Sequence, residues 1–164
     1  MAFAYVGTDL GSCEEDIDAF VTHHLLDDEV RLALPKDHPL ADQDVVDLSA
    51  LSSESWIAGC PRCRGHLLQM CASEGFSPDV AFETEDYVAV LGLVAEGLGV
   101  ALIPDLILRT AHHSDVATRT IKPASRRHVQ VVTTPDLQRV PAVQATIEAL
   151  VEAAKTPPRV LAST

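Results

Sequence analysis

The sequence predicts an α/β fold in which short buried strands alternate with amphipathic helices. Strand-like and helix-like segments follow one another along most of the 164 residues, which is the pattern of α/β domains. Residues 100–103 form a short, wholly apolar run, as in a strand buried on both faces of a mainly parallel sheet. Hydrophobic residues make up 47% of the chain, which is enough for one globular domain with a core.

The first third of the chain contains two predicted strands. Residues 1–6 are apolar and predict a short strand, and the polar, acidic residues 7–19 predict a loop that contains Cys13. Residues 29–34 alternate between apolar and other side chains, which indicates a strand with two unlike faces. Prolines then interrupt the chain, and we expect a turn or short helix over residues 41–51. His38 is expected to bond to nearby backbone.

The middle of the chain predicts a strand, a helix and another strand. Residues 55–58, SWIA, predict the first strand, and the following turn leads into a helix over about residues 62–74. Pro61 favours this start because a proline lacks the N–H that a first helical residue leaves unpaired. Gly75 is expected to end the helix, and residues 80–82 predict the next strand.

The chain is organised around residues 83–104, ETEDYVAVLGLVAEGLGVALIP. They predict an acidic helix start, an amphipathic helix, a glycine stop and a buried strand. Thr84 or Asp86 is expected to cap the helix with a side-chain oxygen. Gly97 and Gly99 are expected to end it. The positions predicted to face the core are Val88, Leu91 and Ala95, with Val90, Val94 and Leu98 broadening that face.

The last third predicts two strands between helices. A short helix is expected after Pro104, followed by strands at residues 116–121 and 129–133. Pro141 begins a last helix, and the tail from residue 156 is expected to fray. The apolar stripe of that helix comprises Val143, Ile147, Leu150 and Val151.

Three segments resemble, in order and spacing, the effector-binding domain of LysR-type transcriptional regulators. VAEGLGVALIP ends the central stretch, and the longer segment that contains it, residues 75–104, resembles the middle of the second lobe of that domain. LLDDEVRLALPKDHPLA, residues 25–41, resembles the segment that leads from the first lobe into the second. The resemblance implies a two-lobed fold of the periplasmic-binding-protein-like type II, with the second lobe complete and the first lobe partial.

The resemblance also implies a division of the chain. Residues 1–34 correspond to a remnant of the first lobe and the crossover, and residues 35–134 to the second lobe. Residues 135–155 correspond to a return helix on the first lobe, and residues 156–164 to the frayed tail. The winged-helix DNA-binding domain and the first elements of the first lobe have no counterpart in the sequence. We therefore expect a fragment, truncated at its N-terminal side, without DNA-binding activity of its own.

The function implied by the resemblance is small-molecule sensing. A metabolite would bind between the lobes, and its binding would be relayed to a DNA-binding domain as a change in lobe or subunit geometry. A homo-oligomer is implied as well. The net charge of −12 repels phosphate backbones, and no apolar run approaches the roughly 20 residues that span a bilayer. Without a secretion signal, and with cysteines too clustered for a disulfide framework, the chain is expected to be cytoplasmic.

Two turns are the predicted effector site. The turn before residue 62 offers the N–H groups of a helix N-terminus, and two arginines add positive charge, so a carboxylate or phosphate is expected to bind there. Three acids surround the turn at residues 83–86, which favours a hydroxyl, an amine or an aromatic group. The alternative is that both arginines are solvated surface charges. The predicted site residues are Gly59, Cys60, Arg62 and Arg64 from the first turn, and Thr84, Glu85 and Asp86 from the second.

The cluster CPRCRGHLLQMC, residues 60–71, allows a different chemistry. Its four potential zinc ligands are Cys60, Cys63, His66 and Cys71. The helical interpretation instead places Cys63, Leu67, Met70 and Cys71 on one buried stripe. A third possibility is a redox pair in which Cys60 forms a disulfide with Cys63. We expect the packed interpretation, and hence no metal or cofactor.

Catalytic motifs are missing from the sequence, so an enzyme is not expected. No nucleophile elbow, Walker loop or dinucleotide fingerprint occurs. The pairs His23–His24 and His112–His113 are interpreted as exposed loop residues. The alternatives to a sensor domain are a solute-binding protein of a transport system, a small zinc or redox protein, and a truncated product without activity. The last would leave apolar surface uncovered and cause poor solubility or dimerisation.

Overall fold

The structure is a computed structural model that describes residues 2–7 and 20–155. The predicted loop from residue 8, with Cys13, and the predicted tail from residue 156 lie outside the described residues. Within these described residues the strands are β1 Ala2–Gly7, β2 Val21–Pro35, β3 Val45–Asp47, β4 Ser55–Ala58, β5 Asp79–Glu83, β6 Ala101–Pro104, β7 Val116–Lys122 and β8 Arg126–Thr133. The α-helices are α1 Pro61–Ser73, α2 Tyr87–Ala95, α3 Asp105–Leu108, α4 Pro135–Gln138 and α5 Pro141–Lys155, and a 3₁₀ helix spans Leu48–Leu51.

The chain divides into two compact units. The flanking unit comprises the described parts of residues 1–28 and 126–164, and the central unit comprises residues 29–125. The division expected from the resemblance, at residues 34 and 134, concerns the lobes of the family and stays a prediction. None of the helices within residues 20–155 combines the length and apolarity needed to cross a bilayer.

The flanking unit is built on antiparallel strands and one longer helix. β1 pairs with β8 in antiparallel register from Ala2 opposite Val132 to Gly7 opposite Arg127, and β8 lies next to β2. Ile147 of α5 is buried, and the other three positions of the predicted stripe are partly buried. The apolar face predicted for this helix is therefore confirmed.

The central unit has mixed strand pairing. β2 pairs in antiparallel register with β6 and with β7, and β3 pairs in parallel with β7. β4 and β5 form a separate parallel pair. The expectation of a mainly parallel sheet around residues 100–103 is wrong: only Val100 makes a parallel bridge, to Trp56. An apolar run reports burial on both faces, and it carries no information on strand direction.

Alternate residues of β2 and β4 serve two hydrophobic cores in the central unit. Leu32 and Leu34 pack with Trp56, whereas Ala33 packs with Ile57 on the opposite faces of the strands. All five side chains are at most 2% exposed. Because neighbouring side chains of a strand point to opposite faces, strands with apolar residues at every position require cover on both sides.

Helix α2 presents a narrower buried face than predicted. Val90, Leu91 and Val94 are buried, as expected, but Val88 is 71% exposed and Leu98 is 44% exposed. Val88 lies in the first turn of α2. This helix is apolar nearly all round, so the spacing of its valines and leucines predicts a wider buried face than the structure has.

Three further predictions concern single elements. Gly75 and Gly97 end α1 and α2 with φ of 83° and 70°, the left-handed backbone that glycine adopts readily. His38 accepts a hydrogen bond from the Leu40 N–H through Nδ1 at 3.1 Å, which confirms the predicted backbone bond. Strand β2 begins eight residues earlier than predicted, since residues 21–28, VTHHLLDD, lack the period-two alternation that marks a strand.

Candidate effector site

The two predicted turns lie side by side in the central unit. β4 and β5 run parallel with Ala58 opposite Glu83, so both strands end at the same edge. The Thr84 N–H donates a hydrogen bond to the Ala58 carbonyl at 3.0 Å. The turns that follow the strands each lead directly into a helix, α1 after the first and α2 after the second. Two helix N-termini therefore open onto one edge of the parallel pair.

The first turn is capped by a thiol. Cys60 is the N-cap of α1, and its Sγ accepts a hydrogen bond from the Cys63 N–H at 3.4 Å. Pro61 occupies the first helical position, as the sequence predicted. Gly59 packs closely here, since an added Cβ would lie 3.3 Å from the Cys63 Cβ. Cys63 therefore leaves little room for a side chain larger than that of glycine at residue 59.

The second turn is capped by a carboxylate. Asp86 is the N-cap of α2, and its Oδ1 accepts hydrogen bonds from the N–H groups of Val88 at 2.9 Å and Ala89 at 3.4 Å. The Thr84 hydroxyl accepts a hydrogen bond from the Asp86 N–H at 3.2 Å. Of the two candidates for this cap, Asp86 takes the role, and Thr84 stabilises the turn. Glu85 between them is exposed.

Arg64 connects the first helix to the second strand. Its Nε lies 2.7 Å from Glu83 Oε1, and the two side chains are 42% and 56% exposed. Arg64 thus forms a surface ion pair with the last residue of β5. Arg62 lies in the first turn of α1 and is exposed. A ligand at this edge would meet the exposed Arg62 and the partly exposed Arg64.

A comparison with known protein families identifies the domain. The family model described as the LysR substrate binding domain matches residues 7–155. The chain belongs to this family. A LysR substrate-binding domain is the effector-binding regulatory domain of LysR-type transcription regulators, which confirms the function and the fold class that the resemblance implied.

Curated relatives of this LysR domain are bacterial regulators. It is 34% identical over 77 residues to the HTH-type transcriptional regulator AlsR of Bacillus subtilis, covering 44% of this chain and 26% of the relative. It is 28% identical over 127 residues to the transcriptional dual regulator OxyR of Escherichia coli, covering 74% of this chain and 41% of the relative. The chain thus spans well under half the length of these relatives.

Solved structures show the same fold. The regulatory domain of CcmR from Synechocystis, in complex with 2-PG, matches with a TM-score of 0.77 at 19% identity, covering 95% of this chain and 74% of that one. The regulatory domain of MetR from N. meningitidis matches with a TM-score of 0.70 at 17% identity, covering 93% and 69%. These likenesses confirm the periplasmic-binding-protein-like type II fold.

The cysteine cluster of this LysR domain packs as a helix face. Leu67, Met70 and Cys71 are buried, and Cys63 is half-buried. Burial raises the pKa of the Cys71 thiol to about 11, so this side chain stays protonated at neutral pH. His66 is buried, with Nε2 2.7 Å from the Ser125 Oγ. The packed interpretation is therefore confirmed.

Among the described residues, the four potential zinc ligands of this cluster are not brought together. Within residues 20–155, only His24, Asp27 and His128 bring three potential ligand atoms within 4.8 Å of one another. Cys60 and Cys63 do lie close, with their Sγ atoms 3.0 Å apart, but His66 is held by a serine and Cys71 lies in the core. Helical geometry separates the four side chains that the sequence places so near to one another.

Sequence reasoning misplaced one histidine pair. His23 and His24 lie in strand β2, and not in a loop, and His24 takes part in the three-residue cluster of the flanking unit. His112 and His113 are exposed loop residues, as predicted. Asp27 follows His24 by three residues, a spacing that in a regular strand would place the two side chains on opposite faces. Nothing in the sequence indicated that His128, about a hundred residues away, would lie beside them.

Two surface cavities are lined by other residues. One, of about 530 Å³, lies in the flanking unit between His23 and helix α5. The other, of about 450 Å³, lies in the central unit and is strongly charged, with Arg31, Asp105, Arg109 and Arg119 in its wall. The predicted effector residues line neither cavity. The arginines of the second cavity could also bind an anion. An effector-binding experiment therefore has to distinguish this cavity from the two predicted turns.

Proposed function

We propose that this domain binds a small effector with an acidic group at the turns of residues 59–64 and 84–86. The observation that carries the proposal is the pairing of Ala58 with Glu83, which brings the N-termini of α1 and α2 to one edge. Helix N-termini present backbone N–H groups and a positive dipole end, so such an edge suits an anionic or polar ligand. In open α/β folds, ligands bind beyond the carboxyl ends of strands.

The two caps set the direction in which the effector would lie. The Asp86 carboxylate already satisfies two N–H groups of α2 and offsets the dipole of that helix. The cap of α1 is the thiol of Cys60, a weak acceptor. An acidic group therefore has more to gain at α1, beside Arg62, while a hydroxyl or amine of the ligand suits the acidic second turn.

A solved structure of the same fold provides a first probe. The Synechocystis CcmR regulatory domain is in complex with 2-PG. At 19% identity this likeness carries the fold alone, so 2-PG serves here as a first probe. We infer only the chemical class, a small anion, for the effector of this domain.

The biological role that follows is regulation of transcription. Members of the family are transcription regulators that bind small effectors, oligomerise and contact DNA through a separate domain. We propose the same arrangement for the protein to which this domain belongs, working as a homo-oligomer in the cytoplasm and catalysing no reaction. Effector binding would shift the populations of two domain geometries, and the preferred geometry would alter DNA binding.

Isothermal titration calorimetry tests the site. Wild type, Arg62→Ala and Arg64→Ala would be titrated with 2-PG, benzoate, citrate and inorganic phosphate. Removing a guanidinium that contacts the acid should weaken binding about tenfold or more, equivalent to about 1.4 kcal/mol.

The matched control is Arg109→Ala. Arg109 is 40% exposed and ion-paired to Asp105 at 3.1 Å, much as Arg64 is paired to Glu83, but it lines the charged cavity of the central unit. The proposal requires unchanged affinity in this variant. Loss of binding in Arg109→Ala, with full binding in both turn variants, would move the effector to that cavity and refute the site.

A further inference from the structure

Two histidines and an aspartate form a cluster on the flanking unit, and none of them belongs to the proposed effector site. His24 and Asp27 lie on β2, and His128 lies on β8, the neighbouring strand. The His24 Nε2 is 3.3 Å from Asp27 Oδ1, and the His128 Nδ1 is 2.5 Å from the same oxygen. The two rings meet edge to face with centroids 5.8 Å apart. One carboxylate oxygen thus lies between two imidazole nitrogens.

A slip in the alternation of β2 brings the first two side chains together. Side chains three residues apart in a regular strand point to opposite faces. Here the exposed positions are 22, 24 and then 27, so the alternation shifts by one residue between His24 and Asp27. Such a shift re-aims a side chain, as a bulge does. Both side chains consequently lie on the solvent side, where a dissolved ion can reach them.

The spacing of these atoms suits a transition metal. Zinc binds histidine nitrogen and carboxylate oxygen at about 2.0–2.2 Å, which puts two ligands of a tetrahedral ion about 3.3 Å apart. The His24 to Asp27 separation has this value. All three ligand atoms lie within 4.8 Å of one another. The shorter His128 to Asp27 contact would lengthen as a cation takes the place of the proton between the two atoms.

The charges around the cluster are mixed. A carboxylate is an anion at neutral pH, so Asp27 supplies the negative charge of the cluster. Asp28 is ion-paired to Arg127, whose Nε lies 2.6 Å from Asp28 Oδ2. The positive charge of Arg126 disfavours a cation nearby. Among the described residues, three side chains are thus available as ligands.

We propose that His24, Asp27 and His128 bind a divalent transition-metal ion of the zinc class, with water at the remaining position. Two neutral imidazoles and one carboxylate are ligands that such ions prefer, and three protein ligands leave one position open. A bound ion would join β2 to β8 and stabilise the folded state by mass action. The site lies outside the proposed effector residues and does not depend on them.

Metal titration of the whole, untagged chain tests the proposal. Wild type is expected to bind one Zn²⁺ per chain in calorimetry, and His24→Ala, Asp27→Asn and His128→Ala should each weaken binding about tenfold or more. His24 and Asp27 are 53% and 48% exposed, so their replacement should leave the far-UV circular dichroism unchanged. The control is the double variant His112→Ala/His113→Ala, which removes two loop imidazoles outside the cluster and should bind as wild type does.

Cobalt distinguishes this cluster from the cysteines. Co²⁺ bound to nitrogen and oxygen ligands gives weak visible bands, whereas a cysteine ligand adds an intense thiolate charge-transfer band. The proposal requires the visible bands without the thiolate band, and their loss in His128→Ala. It is overturned if wild type binds no Zn²⁺, if the three variants bind as wild type does, or if binding is abolished only by Cys60→Ser/Cys63→Ser.

Discussion

At the scale of single residues, the burial of an ion pair decides how much its loss costs. Asp28 Oδ2 and Arg127 Nε lie 2.6 Å apart, with side chains 1% and 12% exposed. Asp47 and Lys122 lie 3.6 Å apart with side chains 63% and 72% exposed. Removing one partner of an enclosed pair leaves an uncompensated charge in a medium of low dielectric, whereas water solvates the survivor of an exposed pair.

We expect Asp28→Asn to lower the free energy of unfolding by about 3 kcal/mol. Asp47→Asn, the matched surface variant, should lower it by less than about 1 kcal/mol. Urea denaturation followed by circular dichroism measures both. Equal losses in the two variants would show that the burial of Asp28 does not govern its contribution.

Cys71 provides a pH-dependent test. The pKa of its thiol rises from the ordinary 9.0 to about 11 because burial disfavours the thiolate. The unfolded chain therefore releases this proton first as the pH rises, so the folded state loses stability between about pH 9 and pH 11. Below about pH 9 the thiol is protonated in both states, and the contribution is fully present. We expect Cys71→Ala to lose less stability than wild type over this interval, measured as the change in Tm. Parallel slopes in the two proteins would contradict this account.

The residue scale also shows where sequence reasoning fails. The cap Asp86, the turn residue Pro61 and the backbone bond of His38 depend on neighbours in the chain, and all were predicted. The pairing of Arg64 with Glu83 and the approach of His128 to Asp27 depend on strand register between distant segments. A single sequence contains no direct record of register, so these contacts could not be predicted.

At the scale of elements, the turn between α2 and β6 is fixed by a close approach. A Cβ added to Gly99 would lie 2.7 Å from the Ser55 carbonyl oxygen, whereas a Cβ added to Gly92 would meet nothing within 4 Å. The same carbonyl accepts a hydrogen bond from the Val100 N–H at 2.9 Å. Strand β4 therefore cannot retreat from residue 99 without losing this bond.

Two glycine variants test the packing of this segment. Gly99→Ala should lower the free energy of unfolding by about 1–3 kcal/mol, because the new methyl group overlaps backbone atoms. Gly92→Ala, in the interior of α2, should raise it by about 0.5–1 kcal/mol, because alanine favours a helix more than glycine does. Chemical denaturation gives both values, and the opposite signs are the result to check. A neutral Gly99→Ala variant would contradict the close approach.

At the scale of the whole molecule, the order of three segments predicted the family, and with it the fold. Residues 25–41 and 75–104 are similar to the family in order and spacing, and the family match over residues 7–155 confirms the identification. Strand directions were harder to predict, since β6 proved antiparallel to its partner β2. The long β2 was underestimated, because its first half carries doublets of like residues in place of alternation.

The candidate effector site was predictable in part. Parallel strands that each lead into a helix bring their turns to one edge, so the adjacency of the two turns followed from the predicted elements. Which groups remain available to a ligand did not follow, because Asp86 and Arg64 are both engaged in contacts within the protein. Whether a side chain is free to bind a ligand depends on how the side chains pack, which the sequence alone does not show.

The ion pair between Arg64 and Glu83 allows a ligand acid to replace Glu83 as the partner of Arg64. An acid that takes the guanidinium for itself must displace Glu83, and the released carboxylate would stand close to the exposed Glu85 in a crowded negative corner. Ligand binding would then increase the electrostatic repulsion between Glu83 and Glu85 at the end of β5. An acid too weak to compete with Glu83 would leave that corner undisturbed, so the existing partner of Arg64 would act as a threshold for the signal.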